Sequence, residues 1–313
     1  MVILENCRVA YGKKIVELGH KNKDIIVLDG DLSTSTKTIY FWKEFPDRFF
    51  DIGIAEQNLI GISAGLAASG KIVFASSYSI FILGRGFEQI RNTVAHDNLN
   101  VKIVASHAGV TVGQDGSSHQ AIEDIALIRS LPNFHIYVPA DSVETEFIIE
   151  EIIKNKSPTY VRICRIDLPV LFDKDFKFKL NKGIIIREGA DISIISMGLM
   201  VHKALEAAEK LEKIGINAEV INMSSIKPID SKLIIKSAKK TGAVITAEEH
   251  NIIGGLGSAV AEVLVENQPT IMKRIGIQDE FGQSGDPYEL LKHYGLTTEK
   301  ILDESKKLIN LKR

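Results

Sequence analysis

The sequence lacks most features that mark a special class. It has 2 cysteines in 313 residues, Cys7 and Cys164, and no CxxC pair. That excludes a disulfide framework and any recognised zinc spacing, so both read as reduced thiols of a cytoplasmic protein. No sign of charge dominates either: 38 Lys and Arg against 40 Asp and Glu leave a net charge of -2. No basic stripe points to nucleic acid, and no acidic block points to a disordered tail. No apolar run approaches the roughly 18–20 residues that a membrane span needs. The N-terminal stretch carries Glu5 and no small-residue cleavage site, so no signal peptide is expected. Short repeats and low-complexity tracts are absent.

What is present is an ordinary globular composition, 45% hydrophobic and 25% charged, at a length that suggests two domains. "IIVLD" (25–29), "KIVFAS" (71–76), "VKIVASH" (101–107), "FHIYVPA" (134–140) and "TYVRIC" (159–164) read as buried parallel strands. Helical patterns lie between them near 79–95, 120–130 and 142–154. Asp141 with Glu144 forms a capping box at the start of the last. The stretch 170–187 breaks the rhythm and reads as a linker ending in a short strand. Strands at 191–198, 217–223, 243–249 and 273–278 then alternate with helices at 200–214, 230–240 and 257–266, followed by terminal helices. The expected fold is α/β in two domains, each a mostly parallel sheet flanked by helices. The expected boundaries are 1–172 and 186–313, with a linker at 173–185.

The stretch "FDIGIAEQNLIGISAGLAASG" (50–70) has only two charges, Asp51 and Glu56. A helix starting at Glu56 places Gly61, Ala64, Gly65 and Ala68 on one face. Two interior glycines cost roughly 1 kcal/mol each against alanine, which implies close approach of another backbone. Two candidates remain open: the domain's own sheet, or a helix across a subunit interface. Glu56 in the first turn would lose hydration, which favours the protonated form of an acid unless a partner compensates. A neutral acid can donate a hydrogen bond to a ring nitrogen; a capping or ion-pair role is the plainer alternative.

The loop "ASHAGVTVGQDGSSHQAIED" leaves the carboxyl end of the strand at 101–107, where open α/β sheets bind ligands. It carries His107, Asp115 and His119 among Gly109, Gly113 and Gly116. Such a set suits binding sugar hydroxyls and moving protons near neutrality. A polar surface loop is the alternative, and no third ligand supports a metal at Asp115 and His119. In "ASSYSIFILGRGFEQIRN", Tyr78, Phe81 and Phe87 either line a pocket for a planar ring or pack in the core. "LDGDLSTST" (28–36) resembles a GDG diphosphate motif but runs on to "FWKEFPDRFF", without the asparagine that completes it. "GGLGSA" (254–259) lacks the full GxGxxG and its acidic ribose ligand, so it reads as the start of a closely packed helix and disfavours a nicotinamide-dependent dehydrogenase.

"GIAEQN", "TVGQDGSSHQ", "RSLPNFHIYVPAD", "IKPID" and "EEHNIIGGLG", in this order and spacing, resemble the C-terminal half of transketolase over essentially the whole chain. The resemblance is to the split form, in which separate chains carry the two halves. It implies a pyrimidine-binding domain for thiamine diphosphate followed by a transketolase C-terminal domain. Glu56 is then the acid that hydrogen-bonds the aminopyrimidine and promotes its reactive imino tautomer. Asp31 lies beside the cofactor, and Tyr78 and Phe81 stack on the pyrimidine, with Phe87 a candidate if the register shifts. His107, Asp115 and His119 contact the sugar, while Arg8, Ser35 and Arg165 form a site for its phosphate. Gln114 and Ser117 depart from the family, which often has glutamate and proline there.

Ligands for the diphosphate and magnesium have no counterpart here, so the resemblance implies a second, N-terminal subunit that supplies them. It further implies a homodimer contact through the pyrimidine domain in an α2β2 assembly, and a chain inactive alone. The implied reaction moves a two-carbon ketol unit from a ketose phosphate to an aldose, the chemistry of the pentose phosphate pathway. Alternatives within the same fold are half of a deoxyxylulose-phosphate synthase or a 2-oxo acid dehydrogenase β subunit. A non-catalytic scaffold is the alternative outside enzymes.

Overall fold

The computed structural model describes residues 3–312. The first domain is built on a seven-stranded sheet. Its order is Ser225–Lys227, His135–Tyr137, Thr159–Arg162, Val101–Ala105, Ile72–Ser76, Ile25–Asp29, Phe49–Asp51. Every pairing is parallel except that of Ser225–Lys227, an edge strand contributed by the second half of the chain. The second sheet has five strands in the order Ile271–Ile277, Ala243–Asn251, Ile192–Ser196, Ala218–Asn222, Ile184–Arg187, with only the last antiparallel. The central strands are apolar and buried throughout, as parallel strands covered on both faces must be. The two-domain α/β architecture is therefore the expected one.

Several elements are shorter than the pattern suggests, and the differences fall where side chains are delivered to a site. The strand expected over 101–107 ends at Ala105, and His107 turns into left-handed backbone at φ 59°. The helix expected over 120–130 covers only Asp124–Arg129. Helix Cys7–Lys21, not marked by the pattern, opens on Asn6, whose side chain accepts the Arg8 N–H at 3.0 Å. The capping box forms in part. Asp141 accepts the Glu144 N–H at 2.7 Å, but the Glu144 carboxylate turns to the Ala140 N–H and to Asn222 of the second domain.

Helix Glu56–Ala68 lies on the sheet through Leu59, Ile60, Ser63, Ala64 and Ala67. Gly61, Gly65 and Ala68 face outward, and a Cβ at either glycine would meet nothing within 4 Å. Packing against the domain's own sheet therefore does not explain these glycines. Among the described residues, no helix is long and apolar enough to cross a membrane.

Candidate active site

Parallel strands bring their carboxyl ends to one edge, and backbone hydrogen bonds fix the loops there. Gly30 N donates to Ser76 O at 3.1 Å, Ile52 N to Asp29 O at 2.9 Å, and Ser79 N to Ser106 O at 2.8 Å. The turns after four strands are thereby tied side by side. Of the seven described non-glycine residues with left-handed backbone, Asp31, Lys37 and His107 sit in these turns. Such strain persists where surrounding contacts enforce it, and it concentrates at functional sites.

Asp29, buried at the end of its strand, holds the first turn. Its carboxylate accepts from Leu32 N at 2.6 Å, Thr36 Oγ1 at 2.7 Å and Thr38 Oγ1 at 2.8 Å. Burial still dominates and pushes its pKa up to about 6. The turn presents Asp31, exposed, with its N–H on Asp51 Oδ1, and Ser35, whose carbonyl accepts from Arg8 Nη1 at 3.1 Å. Arg8 also donates to the Arg165 carbonyl at 2.8 Å, so the three residues read as a phosphate set are in contact. The Arg165 side chain reaches the Val112 carbonyl and lies 3.5 Å from Asp115.

Beside this cationic group the aromatic residues form a stack. Tyr78 lies nearly parallel on His107 with ring centroids 3.8 Å apart, and Phe81 meets His119 edge-on at 5.0 Å. His107 is buried, with Nδ1 bonded to Ser106 Oγ at 2.8 Å. Burial, then Arg8, Arg165, His119 and Lys37, push its pKa down to about 3, so the ring is neutral at physiological pH. A neutral imidazole can donate to or accept from an uncharged hydroxyl, while the surrounding cations favour an anionic end on the same ligand.

Glu56 lies on the wall of a cleft of about 500 Å³ lined by Ile54, Ala55, Glu56, Gln57, Asn58 and Arg85. It is 3% exposed, as the sequence suggested. Its carboxylate also has a partner that sequence reasoning missed: Arg85 Nη1 stands 3.1 Å from Oε2. In the described chain the acid is thus ion-paired, and the plainer alternative holds until something displaces Arg85. Phe81 and Arg85 share one face of helix Ser79–Gln89, at i and i+4, with Tyr78 the extended residue that caps its start, and the i, i+4 spacing was a usable signal. Phe87 falls off this stripe and packs against the hydrophobic core, which removes it from the ring-stacking set. Lys37, which adds to the positive charge around His107, had no signal in spacing.

The second domain meets the same loops. "GGLG" opens helix Leu256–Asn267, and the carboxylate of Glu248 accepts the Leu256 and Gly257 N–H groups at 2.6 and 2.8 Å. A side chain of the protein thus fills the place a phosphate would take in a nucleotide loop. A Cβ on Gly255 would stand 2.0 Å from that carboxylate, so the glycine serves close packing.

Comparison with known proteins decides the family. Residues 6–170 match the transketolase pyrimidine-binding domain, and residues 181–301 match the transketolase C-terminal domain. The chain belongs to the transketolase family. A protein of Methanocaldococcus jannaschii, provisionally named a transketolase C-terminal section, is 50% identical over 312 residues, 97% of this chain and 98% of its own length. A Clostridium subunit named 6-deoxy-6-sulfo-D-fructose transketolase subunit is 40% identical, covering 94% of this chain and 92% of its own. A solved structure described as "Split gene transketolase, inactive beta4 tetramer" superposes with a TM-score of 0.92 at 51% identity, covering 98% of this chain and 99% of that one. In this transketolase-family chain, Glu56, Tyr78, Phe81, His107, Asp115, His119, Arg8, Ser35 and Arg165 all gather along one sheet edge.

Proposed function

We propose that the chain is the C-terminal subunit of a split, thiamine-diphosphate-dependent transketolase, active only with an N-terminal subunit that binds the diphosphate and Mg2+. The carrying observation is that a buried carboxylate on an open cleft, Glu56, is linked through Arg85 to Phe81, and so to the Tyr78–His107–Phe81–His119 group and the cations beyond it. The pyrimidine end of the cofactor fits this donor set: one acid buried enough to bond a ring nitrogen, and aromatic faces for a planar ring. Thiamine diphosphate supplies carbanion stabilisation when bound. Glu56 would hold a proton at the pyrimidine nitrogen, with Arg85 moving aside. His107 and His119 would orient the sugar hydroxyls and pass protons, with Asp115 alongside.

Arg8, Ser35 and Arg165 would hold the anionic end of a ketose phosphate while a two-carbon ketol unit moves to an aldose. Arginine forks suit phosphate, and the same cations suit a sulfonate such as the one in the Clostridium relative's name. The exposed glycine face of helix Glu56–Ala68 would be the contact with a second copy, giving an α2β2 assembly in the cytoplasm. That the 51%-identical β4 tetramer is described as inactive accords with a chain that carries half a site.

The test mixes this chain with a diphosphate-binding subunit, thiamine diphosphate and Mg2+, and assays ketol transfer from fructose 6-phosphate, xylulose 5-phosphate and 6-deoxy-6-sulfofructose. Turnover is expected from the mixture and not from either chain alone. Turnover by this chain unaided, or a mixture inert on every ketose, would overturn the reading.

A further inference from the structure

The loop that carries His107, Asp115 and His119 is gripped by the second domain on both of its stems. Strand Ala243–Asn251 extends toward it, and the Glu249 Oε1 atom accepts the Thr111 N–H at 2.7 Å. Two residues on, the Asn251 N–H donates to Ile122 O at 2.8 Å, on the other stem. Arg162 joins the two sides: Nη2 donates to Glu249 O at 2.8 Å and to Ala121 O at 3.3 Å, and Nε to Asp124 at 2.8 Å. Beside that second stem, Gln120 Nε2 donates to Gln283 O at 2.9 Å. Gly109 belongs to the same design, because at φ 81° a Cβ there would lie 2.2 Å from the Glu249 carboxyl carbon.

Glu249 is 3% exposed, and burial pushes its pKa up to about 7 despite Arg162 nearby. A carboxylate in that position is costly to keep. Its neighbour Glu248 is equally buried and equally raised, to about 7. Alternation along the strand points Glu248 the other way, onto the start of helix Leu256–Asn267, where it meets no part of the loop.

We propose that Glu249 is a positioning residue for the sugar-handling loop: its carboxylate fixes Thr111, and through it the direction in which His107, Asp115 and His119 leave the sheet. It touches no reacting atom. The second domain thereby takes a part in catalysis that the sequence did not suggest. The kinetic form of this proposal rests on the ketol-transfer reading; its structural form does not.

Two measurements separate them. In the full chain alone, hydrogen exchange at the Thr111 amide should speed up in Glu249→Ala and stay slow in Glu248→Ala. In the assembled enzyme, Glu249→Ala should lower kcat by about 100-fold, the scale of a misplaced catalytic group. Glu249→Gln, which keeps a carbonyl acceptor for Thr111, should recover most of that loss. Glu248→Ala should lower the melting temperature comparably with kcat near wild type. If Glu249→Ala does not fold, Glu249→Asp, one methylene too short to reach Thr111, replaces it against Glu249→Gln. Unchanged Thr111 exchange, or equal kcat losses in the Glu248 and Glu249 variants, would overturn the proposal. A wild-type mixture without turnover overturns the ketol-transfer reading instead and leaves the exchange result to decide this one.

Discussion

Arg85 Nη1 bridges both oxygens of Glu56, at 3.3 Å from Oε1 and 3.1 Å from Oε2, while its guanidinium carbon stands 4.5 Å from the centre of the Phe81 ring. One half-exposed cation thus covers both the buried acid and the aromatic wall of the cleft. An incoming aminopyrimidine would have to take this cation's place at the carboxylate. Glu56→Gln keeps the side-chain shape but cannot supply an acidic proton. The assembled Glu56→Gln enzyme is expected to melt within a few degrees of wild type and to lose ketol transfer by about 10²–10⁴-fold, the usual worth of a general acid or base. A folded Glu56→Gln enzyme that retains most of its kcat would remove Glu56 from the chemistry.

Arg8 and Arg165 are both proposed to hold the anionic end of the sugar, and the structure gives them different loads. Arg165 directs its side chain to one carbonyl and lies near Asp115, half exposed. Arg8 is spent on Asn6, Ser35 and the Arg165 backbone. Arg165→Ala should therefore raise KM for phosphorylated sugars with little change in kcat, since the contact is made equally in ground and transition states. Arg8→Ala should raise KM as well and also cost about 1–3 kcal/mol of stability, because the Ser35 carbonyl loses its side-chain donor and the Arg165 carbonyl keeps only the longer bond from Asn6. Equal KM changes for unphosphorylated acceptors would count against both assignments.

Asp29 sets a pH dependence whose sign can be worked out. Its pKa rises from an ordinary 3.8 to about 6 in the folded chain, chiefly through burial. The folded state therefore binds the proton more tightly than the unfolded state. The associated stability is complete below the unfolded value and is lost as pH rises through the folded one. Asp29→Asn removes this dependence. Urea denaturation should show wild type losing stability relative to Asp29→Asn, by about 2 kcal/mol in total, as pH rises from 4 to 7. A constant difference across that range would show that the turn's hydrogen bonds offset the burial.

Much of this was legible in the sequence because period and order carry it. Apolar runs such as "IIVLD" specify buried parallel strands, and their carboxyl ends place His107 and the 30–38 turn at one edge. What was not legible depended on contacts between distant segments. Arg85 meets Glu56 across 29 residues, and Glu249 meets Thr111 across 138. Phe87 packs against the core, one of the two fates left open for it, because an aromatic residue near a site looks the same in sequence whether it faces the cleft or the core. The Ser225–Lys227 edge strand is too short to give a period, and it pairs with a sheet from the other half of the chain.

The exposed face of helix Glu56–Ala68 yields a prediction on assembly. Gly61 and Gly65 have open space where a Cβ would stand, and Ile54, 73% exposed, and Ile62, 36% exposed, lie close by in sequence. In a lone chain, Gly65→Ala should stabilise the helix by up to about 1 kcal/mol, since alanine loses less entropy and nothing obstructs its methyl group. If the face receives a second copy of the helix, the same space is filled in the assembly. Gly65→Arg should then leave the fold intact by circular dichroism yet reduce the assembly to smaller species in sedimentation velocity, with ketol transfer falling alongside. A Gly65→Arg chain that sediments as wild type would show that the glycines serve no subunit contact, and that the dimer must form through another surface.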